Sequence, residues 1–254
     1  MNKILLLITI LCLVFVSKAE AALIAYWDFD EGTGTTANDS SSNGYDGTVY
    51  GATWTTGQVG GALSFDGVDD YVEVGDVPGL DISSAITLEA WAKTDKITND
   101  TIISKDDDAG NREYYFGVSY DGNNPGRVRW ALNTSGFHFI DSSTIVNDSQ
   151  WHYIVGTYDG SYLRLYIDGV EDGSSPIAKS GFIPNTNAPF IIGKKPNVGY
   201  EQYFRGALDK VAVYDMALTA EEISNRFTSV IPEPSSMFLL GFGLLGLLKK
   251  KKKI

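Results

Sequence analysis

The chain has 254 residues, of which 43% are hydrophobic, with 32 acidic against 20 basic residues and a formal charge of −12. So acidic a balance excludes nucleic acid and anionic membrane surface as partners, because neutralising phosphate takes clustered Lys and Arg. The lone cysteine, Cys12, excludes an intramolecular disulfide and leaves apolar burial, with or without a metal ion, to supply stability.

In chain order, Lys3 precedes an uncharged run from Ile4 to Val16, followed by Ser17-Lys18-Ala19-Glu20-Ala21. A basic start, a short apolar run and small residues at Ala19 and Ala21 predict a secretory signal peptide over 1–21, cleaved after Ala21. Cys12 follows Ile10-Leu11 instead of the small residues of a lipoprotein site, so it is not read as a lipid anchor. The domain that remains, 22–230, is long enough for one large sandwich and short for two domains. Seven of the 20 basic residues and one acid lie in the terminal segments, leaving 13 against 31 through Glu233, near −18. Such a charge suits calcium, neutral polysaccharide or plain solubility.

Short alternating or aromatic-rich stretches separated by Gly, Asn and Asp predict strands over Leu23–Phe29, Thr48–Trp54, Ala62–Phe65, Tyr71–Val74, Ile86–Lys93 and Thr101–Ser104. Further strands are predicted over Tyr114–Tyr120, Arg127–Leu132, Trp151–Tyr158, Leu163–Ile167, Phe190–Ile192 and Ala207–Tyr214. The pattern is all-β: a two-sheet antiparallel jelly-roll sandwich. Asp159-Gly160 and Asp168-Gly169 follow alternating strands and predict tight turns, since glycine accepts positive φ. Trp151, Ile154, Leu163, Leu165 and Ile167 are assigned to the inter-sheet core, with Arg164 and Tyr166 facing away. One helix is predicted late, with Thr219 as N-cap and Glu222 completing a capping box.

The tail, 231–254, joins Pro232-Glu233-Pro234, an uncharged stretch Met237–Leu248 and the basic run Lys249–Lys253. As a helix the apolar stretch spans about 18 Å against about 30 Å of hydrocarbon, and the lysines would stay cytoplasmic. A processed sorting tail and an ordinary single-pass anchor both fit. The tail resembles the PEP-CTERM signal of Gram-negative bacteria, which implies removal by an exosortase-type protease at Pro232, Glu233 and Pro234. It also implies export to the envelope, outer surface or extracellular matrix, with transient anchoring in the inner membrane through the C-terminal helix.

Four segments in order resemble the laminin-G-like jelly roll of the concanavalin A-like lectin/glucanase superfamily. They are Tyr26-Trp27-Asp28-Phe29-Asp30-Glu31-Gly32, the run from Gly60 to Val72, the run from Trp151 to Gly169, and Phe204 to Asp215. The resemblance implies one structural calcium ion, with Asp209 giving its carboxylate and the backbone near Asp28 or Asp30 and near Gly61 completing the shell. The competing reading has Asp209 capping a turn or pairing with Lys210 or Arg205. Asp106-Asp107-Asp108-Ala109-Gly110-Asn111 lacks the spacing of a calcium loop and reads as a hairpin tip, and Asp66, Asp69 and Asp70 read as turn residues.

Glucanases of the superfamily use a Glu-x-Asp-x-x-Glu type run with paired carboxylates, which is absent here, so no catalytic residue is assigned. His138 and His152 are read as packing or surface residues on strands. The resemblance implies carbohydrate contact, with Tyr114, Tyr115, Arg127, Arg129 and Trp130 as the kind of residues a concave face offers. In the loop after Ile192, which opens with Gly193-Lys194-Lys195-Pro196, Asn197 and Tyr200 are further candidates for ligand contact. The expected function is an exported, non-catalytic module for polysaccharide contact or adhesion. The alternatives are a divergent glycoside-active enzyme and a ligand-free structural component of the matrix or surface.

Overall fold

The computed structural model describes residues 21–97, 100–106, 112–118, 125–196 and 202–230. Residues 1–20, the tail from 231, residues 107–111, and Asn197 and Tyr200 lie outside the described residues. The early strands are β1 (Leu23–Trp27), β2 (Thr36–Ala37), β3 (Gly47–Tyr50), β4 (Thr53–Thr56), β5 (Gly61–Asp66), β6 (Tyr71–Gly75) and β7 (Ile86–Lys93). Then come β8 (Asp100–Asp106), β9 (Arg112–Val118), β10 (Arg127–Asn133), β11 (Phe137–Ile145), β12 (Trp151–Tyr158) and β13 (Tyr162–Ile167). The chain closes with β14 (Val170–Glu171), β15 (Ile177–Ala178), β16 (Phe190–Ile192), β17 (Lys194–Lys195), β18 (Gln202–Tyr203), β19 (Arg205–Tyr214) and the helix α1 (Ala220–Val230).

All pairings are antiparallel. A nine-stranded sheet runs β14-β13-β12-β7-β19-β5-β4, with β1 on β19 and β15 on β13. An eight-stranded sheet runs β11-β10-β9-β8-β16-β6-β3-β2 and faces it, and β17 and β18 form a small ribbon. Between the large sheets lies the main core, which includes Trp27, Phe65, Phe116, Trp130, Phe190 and Phe204. The buried indole N–H groups stay bonded: Trp27 Nε1 donates to the Tyr45 carbonyl at 3.0 Å and Trp130 Nε1 to the Thr157 carbonyl at 3.2 Å.

The nine-stranded sheet is covered on its other face too. Trp91, Tyr153, Val155, Tyr166, Ala212 and Tyr214 meet Leu218 and Ile223 of the C-terminal segment in a second core. Alternation along β7 serves both sides: Leu88 and Ala90 enter the main core, Trp91 the second. That two-sided burial leaves every residue of β7 up to Ala92 buried, Thr87 and Glu89 included. Thr219 N donates to Glu222 Oε2 at 2.7 Å and Glu222 N to Thr219 Oγ1 at 3.3 Å, the reciprocal cap that starts α1. The Asp168-Gly169 turn has both φ values positive, 53° and 79°, as a two-residue hairpin requires.

Three expectations are corrected. Thr48–Trp54 is two strands in opposite sheets, because Gly51, at φ 72°, turns the chain from β3 to β4. Trp151 packs against the second core, not between the sheets. Tyr114 and Trp130 belong to the inter-sheet core and cannot form a surface platform; alternation turns Tyr115 and Arg129 to the other side of the sheet, where both are still buried.

At Gly156 of β12 any Cβ would strike the ring of Phe116 and come within 2.7 Å of Trp130. Gly156→Ala is therefore expected to cost about 1–3 kcal/mol by overpacking, seen as a lower urea midpoint with an unchanged slope.

Candidate functional site

The residues expected to hold calcium separate into two groups. Asp209 is fully buried in β19, where its Oδ2 accepts the Val59 N–H at 3.1 Å. Its Oδ1 is buried and accepts no hydrogen bond. Asp30 Oδ1 accepts the Gly61 N–H at 2.5 Å. Phe29, at φ 57°, turns its carbonyl against Gly61, and a Cβ on Gly57 would strike the Gly61 carbonyl and lie 2.6 Å from Asp209 Oδ2. Asp30, Gly61 and Asp209 thus converge on the Gly57–Gly61 turn. The Asp28 side chain bonds its neighbours: its Oδ2 accepts from Ser40 Oγ at 3.0 Å and its Oδ1 the Asp30 N–H at 3.3 Å.

Burial raises the Asp209 carboxyl to about 6, against the lowering influence of the Val59 N–H and Lys210. Lys210 turns away toward Tyr26, at 3.3 Å, and Arg205 pairs with Asp95, so neither is the hydrogen-bonded partner of Asp209. A buried carboxylate with an unsatisfied oxygen, beside a second carboxylate and two carbonyls, suits a hard cation. Asp66, Asp69 and Asp70 also bring carboxylate oxygens within 4.8 Å of one another. There Asp66 Oδ1 accepts the Val68 N–H at 2.7 Å and Asp70 Oδ2 the Asp66 N–H at 2.8 Å, the bonds of a turn.

The outer face of the eight-stranded sheet carries an aromatic and cationic row. Phe139 of β11 is 43% exposed, and the Arg129 guanidinium lies 3.9 Å from its ring centroid. Asp141 holds that guanidinium by two bonds, of 2.6 and 2.7 Å. Phe137 lies 6.2 Å from Phe139 and stacks on Tyr115 at 6.1 Å. Arg112 lies 5.2 Å from the Phe137 ring and Lys195 lies 5.3 Å from that of Tyr115. Toward the other edge Tyr50 stacks on Tyr71, which Lys194 covers at 4.8 Å. Sequence reasoning found Tyr115 and Arg129 but not Phe137, Phe139 or Asp141, which sit on a strand missing from the predicted set. Arg127 instead donates to the Ser142 carbonyl at 2.7 Å.

The histidines are not paired with a nucleophile. His152 Nδ1 lies 2.8 Å from Asp168 and Nε2 3.2 Å from Asp148. Glu89, the one acid of β7, is buried in the second core, where Tyr153 and Tyr214 donate to it at 2.5 and 3.0 Å. Burial raises its carboxyl, against the opposing pull of Arg226 and the two phenols.

Residues 66–224 match the sequence profile of the concanavalin A-like lectin/glucanases superfamily, and residues 230–253 match the PEP-CTERM protein-sorting motif. The chain belongs to that superfamily. The sorting motif implies export, envelope sorting in bacteria and processing by an exosortase. Domain 4 of AbnA, a GH43 extracellular arabinanase from Geobacillus stearothermophilus solved with arabinotriose, is similar in fold, with TM-score 0.64 and 22% identity. That likeness covers 82% of this chain and 98% of that one. The binding domain of Paraclostridial Mosquitocidal Protein 1 gives TM-score 0.65 at 16% identity, over 82% of this chain and 52% of that chain. The mouse Sushi, von Willebrand factor type A, EGF and pentraxin domain-containing protein 1 is 28% identical over 163 residues, 60% of this chain, which spans 4% of that protein's length. Among the described residues no helix is long and apolar enough to cross a membrane.

His152 allows a pH test. Its pKa is raised, first by the hydrogen bond to Asp168 and then by the charges of Asp168 and Asp148, against desolvation. Stability from this pairing is full below the unfolded imidazole pKa, about 6.5, and fades as pH rises through the raised folded value. His152→Gln should therefore lose more stability at pH 5.5 than at pH 9, read from urea unfolding at both pH values.

Proposed function

We propose that this protein is an exported, non-catalytic module that contacts carbohydrate through the outer face of its eight-stranded sheet. The observation that carries the reading is the exposed ring of Phe139 with the half-buried Phe137 beside it, backed by the Arg129–Asp141 pair, while Tyr115 lies buried beneath Phe137 and supports it. Aromatic faces cover the apolar side of a sugar ring, and fixed cations and carboxylates bond its hydroxyls. Similarity to a domain solved in complex with arabinotriose supports the same reading. No paired carboxylates of the glucanase kind stand in the sequence, which favours contact over cleavage.

In this account residues 1–21 are removed on export, 22–230 form the module, and 231–254 hold the chain in the inner membrane of a Gram-negative bacterium until an exosortase cuts near Pro232-Glu233-Pro234. Delivery then places the module at the envelope or in an extracellular polysaccharide. Calcium, when bound, would neutralise buried negative charge and tie the β1 end to β19. The oxygens to hold it belong to Asp209, Asp30, Gly61 and Phe29.

Two measurements test the reading. A glycan array probed with the purified full-length chain should light a defined set of polysaccharides. Phe139→Ala should weaken the strongest signal about tenfold, about 1.4 kcal/mol, and a blank array with calcium present would favour a ligand-free structural role. Calcium at a hundredfold excess over its Kd should raise Tm by about 5–10 °C in the wild type and leave Asp209→Asn unmoved. Absence of any shift with chelator, together with no calcium by elemental analysis, would remove the ion from the account.

A further inference from the structure

On the side of the molecule away from the proposed glycan face, a cavity of about 300 Å³ opens between the start of β1 and the end of α1. Leu23, Val230 and Ser229 stand at its rim, Tyr26 and Trp91 in its wall, and Lys210 and Arg226 on either side. The cavity is half open to solvent, and its volume is enough for a small molecule. Its lining is mostly apolar, and its floor is a fixed polar group, Glu89 held between Tyr153 and Tyr214.

We infer that this cavity binds a small amphipathic carboxylate, with the acid end on Arg226 and Lys210 and the apolar body against Leu23, Val230 and the aromatic wall. Charge selects the sign of the ligand. Both Glu89 oxygens already accept tyrosine O–H groups, and the carboxylate is 6% exposed, so it offers little to an incoming cation. Arg226 presents more: its side chain is 41% exposed, and its Nη1 donates to Tyr214 Oη at 2.7 Å and lies 3.6 Å from Glu89 Oε1. Its ring contact with Tyr214, at 4.7 Å, fixes the guanidinium plane. Lys210 is held by Tyr26 at 3.3 Å, and the carboxylates of Asp209 and Asp30, which also act on its charge, bond one N–H each of the Gly57–Gly61 turn.

The groups are also held before any ligand arrives. Trp91 stacks on Tyr153 at 5.3 Å and on Phe227 of α1 at 5.7 Å, so helix and sheet meet through a ring stack that sets the cavity's height. Arg226 sits beside Phe227 on that helix. Such preorganisation reduces the ordering cost of binding. A volume near 300 Å³ lies at the small end of ligand pockets, which fits a single-ring or medium-chain acid and excludes a polysaccharide chain.

Isothermal titration of the purified full-length chain with phenylacetate, octanoate and uncharged phenylacetamide tests the inference. The carboxylates should bind saturably, with the amide at least about tenfold weaker, and Arg226→Gln should weaken phenylacetate by a similar factor. Because Arg226 also touches Glu89, Lys210→Gln provides a second variant and should weaken the same probe several-fold with the circular dichroism spectrum unchanged. No saturable heat up to about 10 mM, equal binding of acid and amide, or two folded variants that bind like the wild type would each overturn it. The result does not depend on the glycan reading, since the cavity and the aromatic row lie on different sheets.

Discussion

In β19 the pairing with β7 slips between Asp209 and Ala212, and Lys210 takes a left-handed φ of 50°. One extra residue is accommodated there, a bulge that rotates neighbouring side chains to opposite destinations. Asp209 turns into the Gly57–Gly61 turn, while Lys210 turns toward Tyr26 and the cavity under α1. Beyond the bulge β19 keeps β1 paired along Val211, Ala212, Val213 and Tyr214. The closing of the N-terminal segment, the proposed calcium cradle and the cavity all rest on this local irregularity. A regular strand would place Asp209 and Lys210 on alternate faces without bringing either to its partners.

The rest of the fold tolerates a strongly acidic composition by confining charge to satisfied clusters. Lys105 is fully buried, yet its ammonium reaches Asp81 at 2.9 Å, Glu113 at 3.0 Å, Asp76 at 3.3 Å and the Ala188 carbonyl at 2.9 Å. A buried cation of this kind costs desolvation that only several close oxygens offset, and removing one partner leaves the charge stranded. This cluster ties β8 and β9 to the segments that carry Asp76, Asp81 and Ala188. The opposite sheet buries its own charged group, Glu89, in the second core, held by Tyr153 and Tyr214 beside Arg226.

Fold class was plain in the sequence, because alternation and Asp-Gly turns report local geometry. The helix cap at Thr219 was equally readable for the same reason. Strand β11 was marked only at His138 and its extent escaped, because its inward face carries His138 and Ser142 beside Ile140, which breaks the apolar alternation, while Phe137 and Phe139 point outward. The split of Thr48–Trp54 escaped because the sheet switch depends on Gly51, and a glycine within a strand pattern does not reveal which sheet follows. Asp209 was found through its segment. That the Phe29 carbonyl faces Gly61 beside Asp30 goes with the positive φ of Phe29, which has no sequence mark. Glu89 looked like an isolated acid, since its partners Tyr153, Tyr214 and Arg226 lie far along the chain.

The central claim is that the exposed Phe139 ring, with Phe137 beside it, is where carbohydrate meets this protein. Side-chain carbon resonances of the phenylalanine and tyrosine rings, followed by NMR during titration with the oligosaccharide that gives the strongest array signal, test it most directly. The account predicts the largest saturable shifts at Phe139 and Phe137, with the rings of the second core unmoved. Shifts confined to Tyr26, Tyr153 and Tyr214, or saturation with the row untouched, would contradict it.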